Sequence, residues 1–532
     1  MGAKNIVLYV ADDLGWADVG YHGSNFPTPF IDDLARTGVE FDRFYTNELC
    51  SPSRSAIMTG RFSFRMGLQH ISTIIAGGTA GLLPMNETTT IAESLKAAGY
   101  ETHGVGKWHL GTASFSQLPL QRGFDTWVGY YGAQVDYYNW TFAANQAYPV
   151  DAGCAGYAGL NAQAFDSWVG NDVNNAAFGE YSVDAYDAEF KRIVGSAVSP
   201  FFVYFAQQLV HYPMDEPPSI STAASKICER IGGPDGRKTL CRMASRLDDS
   251  VRAAVEALDL VWNETVFWFF ADNGGWTDDG FFATYSSNFP LRGGKFTQYE
   301  GGCRVPAFVT GGGLRFGRKL SALVHVVDVA ATIRALARAP ALNDTISTDG
   351  LDLWPLVTGV VEDSPTAVRD EIPLNVDVNP LQIWGVGPLT RVTRELNYSA
   401  IIVWPWKLVV GWGCNPNNAE TTNPKAEGYW TIHDYVYLPP PVNDTDADVA
   451  LRLYDINADP TESRNLATAF PTIANRLTRR LAYWSTSAGG FQPEQWNLPI
   501  PLGNPIRANW TWYPFLGTDQ HPINPLNCDP VY

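Results

Sequence analysis

Three short runs with almost no polar residue punctuate the chain: Ile6-Val7-Leu8-Tyr9-Val10-Ala11, Phe201-Phe202-Val203-Tyr204-Phe205-Ala206 and Thr265-Val266-Phe267-Trp268-Phe269-Phe270-Ala271. Near-continuous apolarity over so few residues predicts central strands covered on both faces. Other segments carry a helical period. Residues 28–40 place Ile31, Leu34, Ala35 and Val39 on one face, with Thr28 as cap and Pro29 as first helical residue. Thr88 to Ala98 reads as a capped helix, and Cys241 to Leu260 as a long one with Met243, Leu247, Val251, Ala254 and Leu258 aligned. Val39 to Tyr45 alternates like a strand, and Pro306 to Val309 followed by Leu323 to Ala337 predicts a further strand and helix. Strands alternating with helices predict an α/β fold, with a mostly parallel sheet between two helical layers.

From about residue 385 the texture changes. Trp404 to Val410 and Leu453 to Ile456 are strand candidates, Pro439-Pro440-Pro441 interrupts regular structure, and Pro471 to Trp484 is an amphipathic helix. The expectation is a large domain over 1–385 and a smaller α+β domain over 386–532 that ends in a Pro- and Trp-rich tail.

Composition narrows the function. Of 532 residues, 45% are apolar and 17% charged, which describes a globular chain, and the formal net charge is −18. An acidic chain is a poor general binder of nucleic acid, so an anionic substrate must be met by a local cluster of cations. No apolar run approaches the roughly 18 residues needed to span a bilayer. The chain enters its first strand without a charged leader, so no signal peptide is read in it.

Seven cysteines are present. With Cys50 set aside, the pairing among Cys154, Cys228, Cys241, Cys303, Cys414 and Cys528 stays open, although Cys228 and Cys241 are close enough in sequence for a local bridge. Asn-x-Ser/Thr triplets stand at Asn86, Asn139, Asn263, Asn343, Asn397, Asn443 and Asn509. With the cysteines they favour a secreted or lysosomal protein over a bacterial one.

The residues that could do chemistry share a position. Asp12-Asp13 follows the first apolar run, Lys107-Trp108-His109 follows residues 99–106, His211 follows the second run, and Asp272-Asn273 follows the third. Parallel sheets bind ligands outside the carboxyl ends of their strands. Lys107 and His109, two apart on an extended backbone, would point the same way. Asp12, Asp13, Asp272 and Asn273 are hard oxygen donors that suit Ca²⁺, or less well Mg²⁺. Arg54, Lys107 and Lys295 could offset the carboxylates and hold an anionic ester, and His109 and His211 could move protons. The aromatic stretch from Phe124 to Trp140 could stack on sugars, but core packing is the better reading.

Cys50-Ser51-Pro52-Ser53-Arg54-Ser55-Ala56-Ile57-Met58-Thr59-Gly60-Arg61 predicts a helix start, with Ser51 as cap and Pro52 in the first turn, so that Cys50 lies where free N–H groups favour an anion. The pattern Cys-x-Pro-x-Arg followed by Thr-Gly-Arg resembles the signature of the type I, formylglycine-dependent sulfatases. Other runs agree, among them Ala11-Asp12-Asp13-Leu14-Gly15-Trp16, Gly67-Leu68-Gln69-His70, Gly106-Lys107-Trp108-His109-Leu110-Gly111, Arg122-Gly123-Phe124-Asp125, Asp136-Tyr137-Tyr138 and Asp272-Asn273-Gly274-Gly275. The set looks most similar to the arylsulfatase B, or N-acetylgalactosamine-4-sulfatase, branch. Departures at Gly294-Lys295-Phe296, Gly302-Cys303-Arg304 and the loops at 140–180 and 212–240 bear on the substrate more than on the chemistry.

The resemblance implies an alkaline-phosphatase-like mixed sheet and hydrolysis of sulfate esters, with sulfated carbohydrate or small sulfate esters as substrates. It implies that a formylglycine-generating enzyme converts Cys50, whose hydrate then attacks sulfur. One ion, Ca²⁺ before Mg²⁺, would be held by Asp12, Asp13, Asp272, Asn273 and the converted Cys50. His211 and Lys295 would assist the leaving oxygen, His109 would take the proton of the second hydroxyl, and Arg54 and Lys107 would hold the formylglycine. A phosphate or phosphonate ester hydrolase on the same fold, and an inactive glycan-binding homologue, are the alternatives. Sequence does not decide oligomeric state.

Overall fold

Strand β1 (Asn5–Ala11) is buried at every position, as an apolar run without alternation requires. The computed structural model describes residues 4–69, 74, 78–83, 87–143, 163–277, 284–314, 317–376, 398–411, 429–438, 451–492 and 495. Nine further strands share the sheet with β1: β2 (Val39–Phe41), β3 (Glu101–Lys107), β4 (Thr126–Tyr130), β5 (Trp168–Val169), β6 (Asp172–Val173), β7 (Phe201–Ala206), β8 (Thr265–Ala271), β9 (Ala307–Gly311) and β10 (Arg318–Leu320). Their order is β10-β2-β9-β8-β1-β7-β3-β4-β5-β6. The five central strands, β8 through β4, run parallel, so their carboxyl ends open on one edge. Antiparallel pairs β8–β9, β9–β2, β4–β5 and β5–β6 flank them.

Helices flank the sheet in two groups: α1 (Pro29–Thr37), α4 (Ser182–Ser196) and α5 (Asp235–Ala257) pack together, as do α2 (Cys50–Thr59), α3 (Ile91–Ala97) and α6 (Val327–Ala337). The cap expected of Thr28 comes from elsewhere. Asp248 of α5 accepts from the N–H groups of Phe30 and Ile31 at 2.9 and 2.8 Å, while Thr28 Oγ1 donates to Asp32. In α3, Thr90 and Glu93 form a reciprocal capping box. The segment read as one strand over Val39 to Tyr45 is two: β2 joins the main sheet, and Phe44–Tyr45 pairs with Val324–His325. A turn at Asp42-Arg43 separates them, its Asp42 carbonyl held by Arg304 Nε at 2.7 Å. The long helix begins at Asp235, directly after Pro234, rather than at Cys241.

A second sheet, all antiparallel, takes β11 (Glu371–Asn375), β12 (Tyr398–Val403), β13 (Trp406–Gly411) and β14 (Leu451–Asp455) in that order, with α7 (Pro471–Trp484) against it. Phe124, Trp127, Tyr130, Tyr131, Tyr137 and Trp140 are buried, so that aromatic stretch is core. Cys228 and Cys241 form a disulfide, and Cys303 is a buried free thiol. Cys154, Cys414 and Cys528 lie outside the described residues, as do the triplets at Asn86, Asn397, Asn443 and Asn509; Asn139, Asn263 and Asn343 are exposed. Among the described residues, no helix is long and apolar enough to cross a membrane.

Candidate active site

The parallel strands bring the candidate residues to one edge. β1 delivers Asp12 and Asp13, β3 ends in Lys107, β7 leads to His211, and β8 delivers Asp272 and Asn273. Backbone pairing runs on past the strands: Asp272 N donates to Ala11 O at 3.0 Å, Asp12 N to Leu209 O at 2.9 Å, and Val210 N to Asp12 O at 2.7 Å. The carboxylates are therefore placed by the ladder itself.

Helix α2 brings Cys50 and Arg54. All ten of its residues are buried. A buried helix rich in serine is tolerable because the hydroxyls bond to backbone carbonyls: Ser55 Oγ to Pro52 O and Thr59 Oγ1 to Ser55 O, both at 2.7 Å. The helix starts at Cys50 rather than after Ser51, with Leu49 in the cap position and no side-chain cap. Ser51 therefore lies inside the first turn. Gly60, with φ 67, closes the other end.

Three carboxylates meet three cations in this buried space. Arg54 donates Nε to Asp272 Oδ2 at 3.0 Å and places Nη2 2.8 Å from the same oxygen and 3.5 Å from Asp12 Oδ2. Its Nη1 reaches Lys107 O and Tyr204 OH at 3.1 and 3.2 Å. Lys107 Nζ donates to Asp12 Oδ2 at 2.7 Å, and Lys295 Nζ to Asp13 Oδ2 at 2.8 Å. Asp13 N donates to Asp272 Oδ1 at 3.3 Å, and Asn273 Nδ2 to Asp13 Oδ1 at 2.8 Å. Burial opposes ionisation of Asp13, but the Lys295 ammonium outweighs it and holds the carboxyl below its ordinary range. Burial, then Asp12, pushes Asp272 up. Burial also pushes the Cys50 thiol up against the pull of Lys107 and Lys295, which leaves it protonated and a weak nucleophile.

The two histidines are neutral and oriented. Burial, reinforced by nearby lysines, holds both well below the ordinary imidazole range. His109 Nε2 lies 2.9 Å from Ile74 O, and a carbonyl can only accept, so the proton is on Nε2. Its Nδ1 lone pair is buried and has no hydrogen-bond partner among the described residues. His211 Nδ1 donates to Tyr212 O at 2.6 Å, which leaves Nε2 to accept from Lys295 Nζ at 3.1 Å. The expectation that Lys107 and His109 extend alike is not met, because β3 ends at Lys107 and His109 takes a left-handed φ of 53. Asp13 and Phe296, the neighbour of Lys295, are left-handed too, with φ 58 and 71. Strained backbone in non-glycine residues gathers at functional sites.

The donor set fits a hard cation. Asp12, Asp13 and His211 each bring one potential ligand atom within 4.8 Å of the others. Asp12 Oδ1 and Asn273 Oδ1 are buried with no donor among the described residues, a costly state that a cation would relieve. Several contributors left no local sequence signal: Tyr204, which meets Arg54; the Ile74 carbonyl; Tyr130, whose buried hydroxyl has no hydrogen-bond partner among the described residues and is pushed up by burial and then by Asp12; and Tyr137, whose hydroxyl donates to Gln208 O and His211 O at 3.1 and 3.0 Å. Tyr137 belongs to the Asp136-Tyr137-Tyr138 run, but its function as a brace for the His211 loop is visible only in three dimensions.

The mixed sheet thus carries, at its carboxyl edge, a buried cluster of three carboxylates and three cations with two neutral histidines, an arrangement suited to the hydrolysis of anionic esters. The sulfatase family profile matches residues 4–339, and the chain belongs to that family as a sulfuric ester hydrolase. It is 31% identical to mouse arylsulfatase J over 528 residues, covering 96% of this chain and 80% of the relative. Human arylsulfatase A is 36% identical over 372 residues, 67% of this chain and 68% of the relative. Rat N-acetylgalactosamine-6-sulfatase is 32% identical over 383 residues, 68% and 67% respectively. Among solved structures, Ps i-CgsB in complex with k-i-k-neocarrahexaose superposes with a TM-score of 0.67 at 25% identity, covering 93% of this chain and 94% of that one.

Proposed function

We propose that this sulfatase hydrolyses sulfate esters of carbohydrates through a formylglycine made from Cys50. The observation that carries the reading is the buried cluster at the start of the Cys50 helix, where Arg54 of that helix pairs with Asp272 and Asp12 while Lys107 pairs with Asp12 and Lys295 with Asp13. The relatives add a named N-acetylgalactosamine-6-sulfatase and a structure in complex with k-i-k-neocarrahexaose.

Conversion of Cys50 by a formylglycine-generating enzyme would supply an aldehyde whose hydrate offers one hydroxyl to attack sulfur and a second to expel sulfate. Asp12, Asp13, Asp272 and Asn273 would hold one Ca²⁺, which lowers the cost of negative charge on sulfate. With three cations already matching three carboxylates, a bound divalent ion would leave the site positive and would draw a sulfate ester into an otherwise acidic protein. Asp272 accepts the proton of the attacking hydroxyl. Lys295, steadied by His211 Nε2, meets the leaving oxygen. His109 Nδ1, which has no partner among the described residues, accepts the proton of the second hydroxyl. Arg54 and Lys107 hold residue 50 and the developing charge. The exposed Asn139, Asn263 and Asn343 triplets and the Cys228–Cys241 bridge support a secretory or lysosomal route.

Peptide mass spectrometry over residues 44–54 and a panel of defined sulfated sugars test this. An aldehyde at position 50 and turnover of one or more sugar sulfates are expected. An intact thiol in protein from the native host would favour a glycan-binding role, and faster turnover of aryl phosphate than aryl sulfate would favour a phosphohydrolase.

A further inference from the structure

The loop that carries Lys295 is anchored at both ends by the second sheet. At its start, Arg292 Nη1 donates to Tyr454 OH of β14 at 2.9 Å and lies 3.5 Å from the Glu462 carbonyl. At its end, Glu300 N donates to Glu462 Oε2 at 2.6 Å, and Lys407 Nζ of β13 bridges Glu300 Oε1 and Glu462 Oε1 at 3.0 and 2.9 Å. Tyr45 OH completes the Glu300 carboxylate at 2.9 Å, with Arg304 Nη1 at 3.5 Å. Arg292, Glu300, Lys407 and Glu462 are all fully buried. The two loop ends close on each other through Gly301 N to Arg292 O at 2.7 Å. Between them, Lys295 N donates to Gly275 O at 3.1 Å and Phe296 N to Glu48 O at 3.0 Å, which ties the loop to the segments leading from Asp272 and into Cys50.

Burying one lysine with two carboxylates carries a large desolvation cost, and apolar residues of similar volume would stabilise a fold as well. What such a group adds is fixed geometry. We propose that Lys407, Glu462, Glu300 and Tyr454 are positioning residues for the sulfatase reaction: they hold the 292–300 loop so that the Lys295 ammonium meets the leaving oxygen. This rests on the assignment of Lys295 to the leaving oxygen given above. A displacement of about one ångström at a reacting group costs up to ~100-fold in rate.

The test uses the full-length converted enzyme and aryl sulfates of graded leaving-group acidity, with 4-nitrophenyl sulfate and phenyl sulfate as the two ends. Lys295→Ala is the reference; Lys407→Met and the milder Tyr454→Phe are the clamp variants, each checked for native circular dichroism. Lys295→Ala is expected to slow phenyl sulfate by about tenfold more than 4-nitrophenyl sulfate, because a poor leaving group depends most on assistance. Lys407→Met should steepen the leaving-group dependence in the same direction, and Tyr454→Phe by a smaller factor. A merely structural role would lower both substrates in proportion. If Lys295→Ala steepens the dependence and folded Lys407→Met and Tyr454→Phe do not, the clamp is refuted and the role of Lys295 stands. If Lys407→Met fails to fold, Tyr454→Phe alone decides by the same criterion. If Lys295→Ala leaves the dependence unchanged, its assignment to the leaving oxygen is wrong and the clamp falls with it.

Discussion

Replacing Arg54 by methionine removes one cation from a buried group in which three carboxylates face three cations. Arg54 is fully buried, with two contacts to Asp272 Oδ2 at 3.0 and 2.8 Å and one to Asp12 Oδ2 at 3.5 Å. At an effective dielectric near 20, opposite charges about 3 Å apart attract by about 5 kcal/mol. Methionine spares the desolvation of the guanidinium but leaves two buried carboxylates short of a partner. The net loss expected is about 3–5 kcal/mol. At roughly 2 °C per kcal/mol for a large domain, the melting temperature in chelator should fall by about 6–10 °C. Calcium should then act in the opposite sense. At a concentration about a hundredfold above its Kd, an ion stabilises a folded protein by about 2.7 kcal/mol. With the guanidinium gone, the ion meets a more negative site, so the calcium-induced rise should be larger in the variant than in the wild type. Thermal melts of both proteins, in chelator and in calcium, measure the four values. A variant that melts within about 2 °C of wild type in chelator, or that gains no more from calcium, would refute the account of Arg54 and the ion as alternative partners of the same carboxylates.

Three further outcomes follow from other parts of the fold. Gly106→Ala should cost about 3 kcal/mol or more and depress activity, since Gly106 has φ 95, its Cβ would lie 1.9 Å from Ala206 O, and Lys107 is the next residue; soluble yield and melting temperature check it, and a well-folded active variant contradicts it. The double substitution of Cys228 and Cys241 by serine, which opens a loop with a sequence separation of 13, should lower stability by about 3 kcal/mol and leave the turnover number of the folded enzyme unchanged. Asp166 is pushed up to about 6 by burial, against three hydrogen bonds from Tyr131 N, Gly132 N and Trp168 Nε1. A raised carboxyl adds stability that is complete below the unfolded-state value near 4 and is lost as pH rises through about 6. The melting gap between wild type and Asp166→Asn should therefore shrink as pH rises from about 4 to about 7, and a gap that widens over that range would show that the carboxylate form is the favoured one.

Local pattern carried most of the strand assignments, because a strand covered on both faces must be apolar throughout whatever packs on it. β1, β7 and β8 were readable for that reason, and the aromatic stretch from Phe124 to Trp140 was rightly placed in the core. Errors fell where distant residues override a local preference. Thr28 has the chemistry of a cap, yet Asp248 supplies the hydrogen bonds. Alternation from Val39 to Tyr45 continues across a turn that Arg304 stabilises from far along the chain. The rule that places Lys107 and His109 on one side holds only while the backbone stays extended, and it bends at His109.

The sequence by itself determined the class of fold and the kinds of side chain that follow each central strand, since apolar runs, helical periods and the Cys-x-Pro-x-Arg run are local. Pairing was decided by the tertiary structure alone. Arg54 with Asp272, Lys107 with Asp12, Lys295 with both Asp13 and His211, and Lys407 with both Glu300 and Glu462 join residues far apart in the chain. Hydrogen bonds and ion pairs act over a few ångströms, and only the folded sheet brings these groups that close. The tautomer of His109 belongs to the same class of fact, because the Ile74 carbonyl that fixes it becomes a neighbour only once the loops have been laid down; that of His211 is set by the next residue's carbonyl, at Tyr212, together with Lys295 from far along the chain.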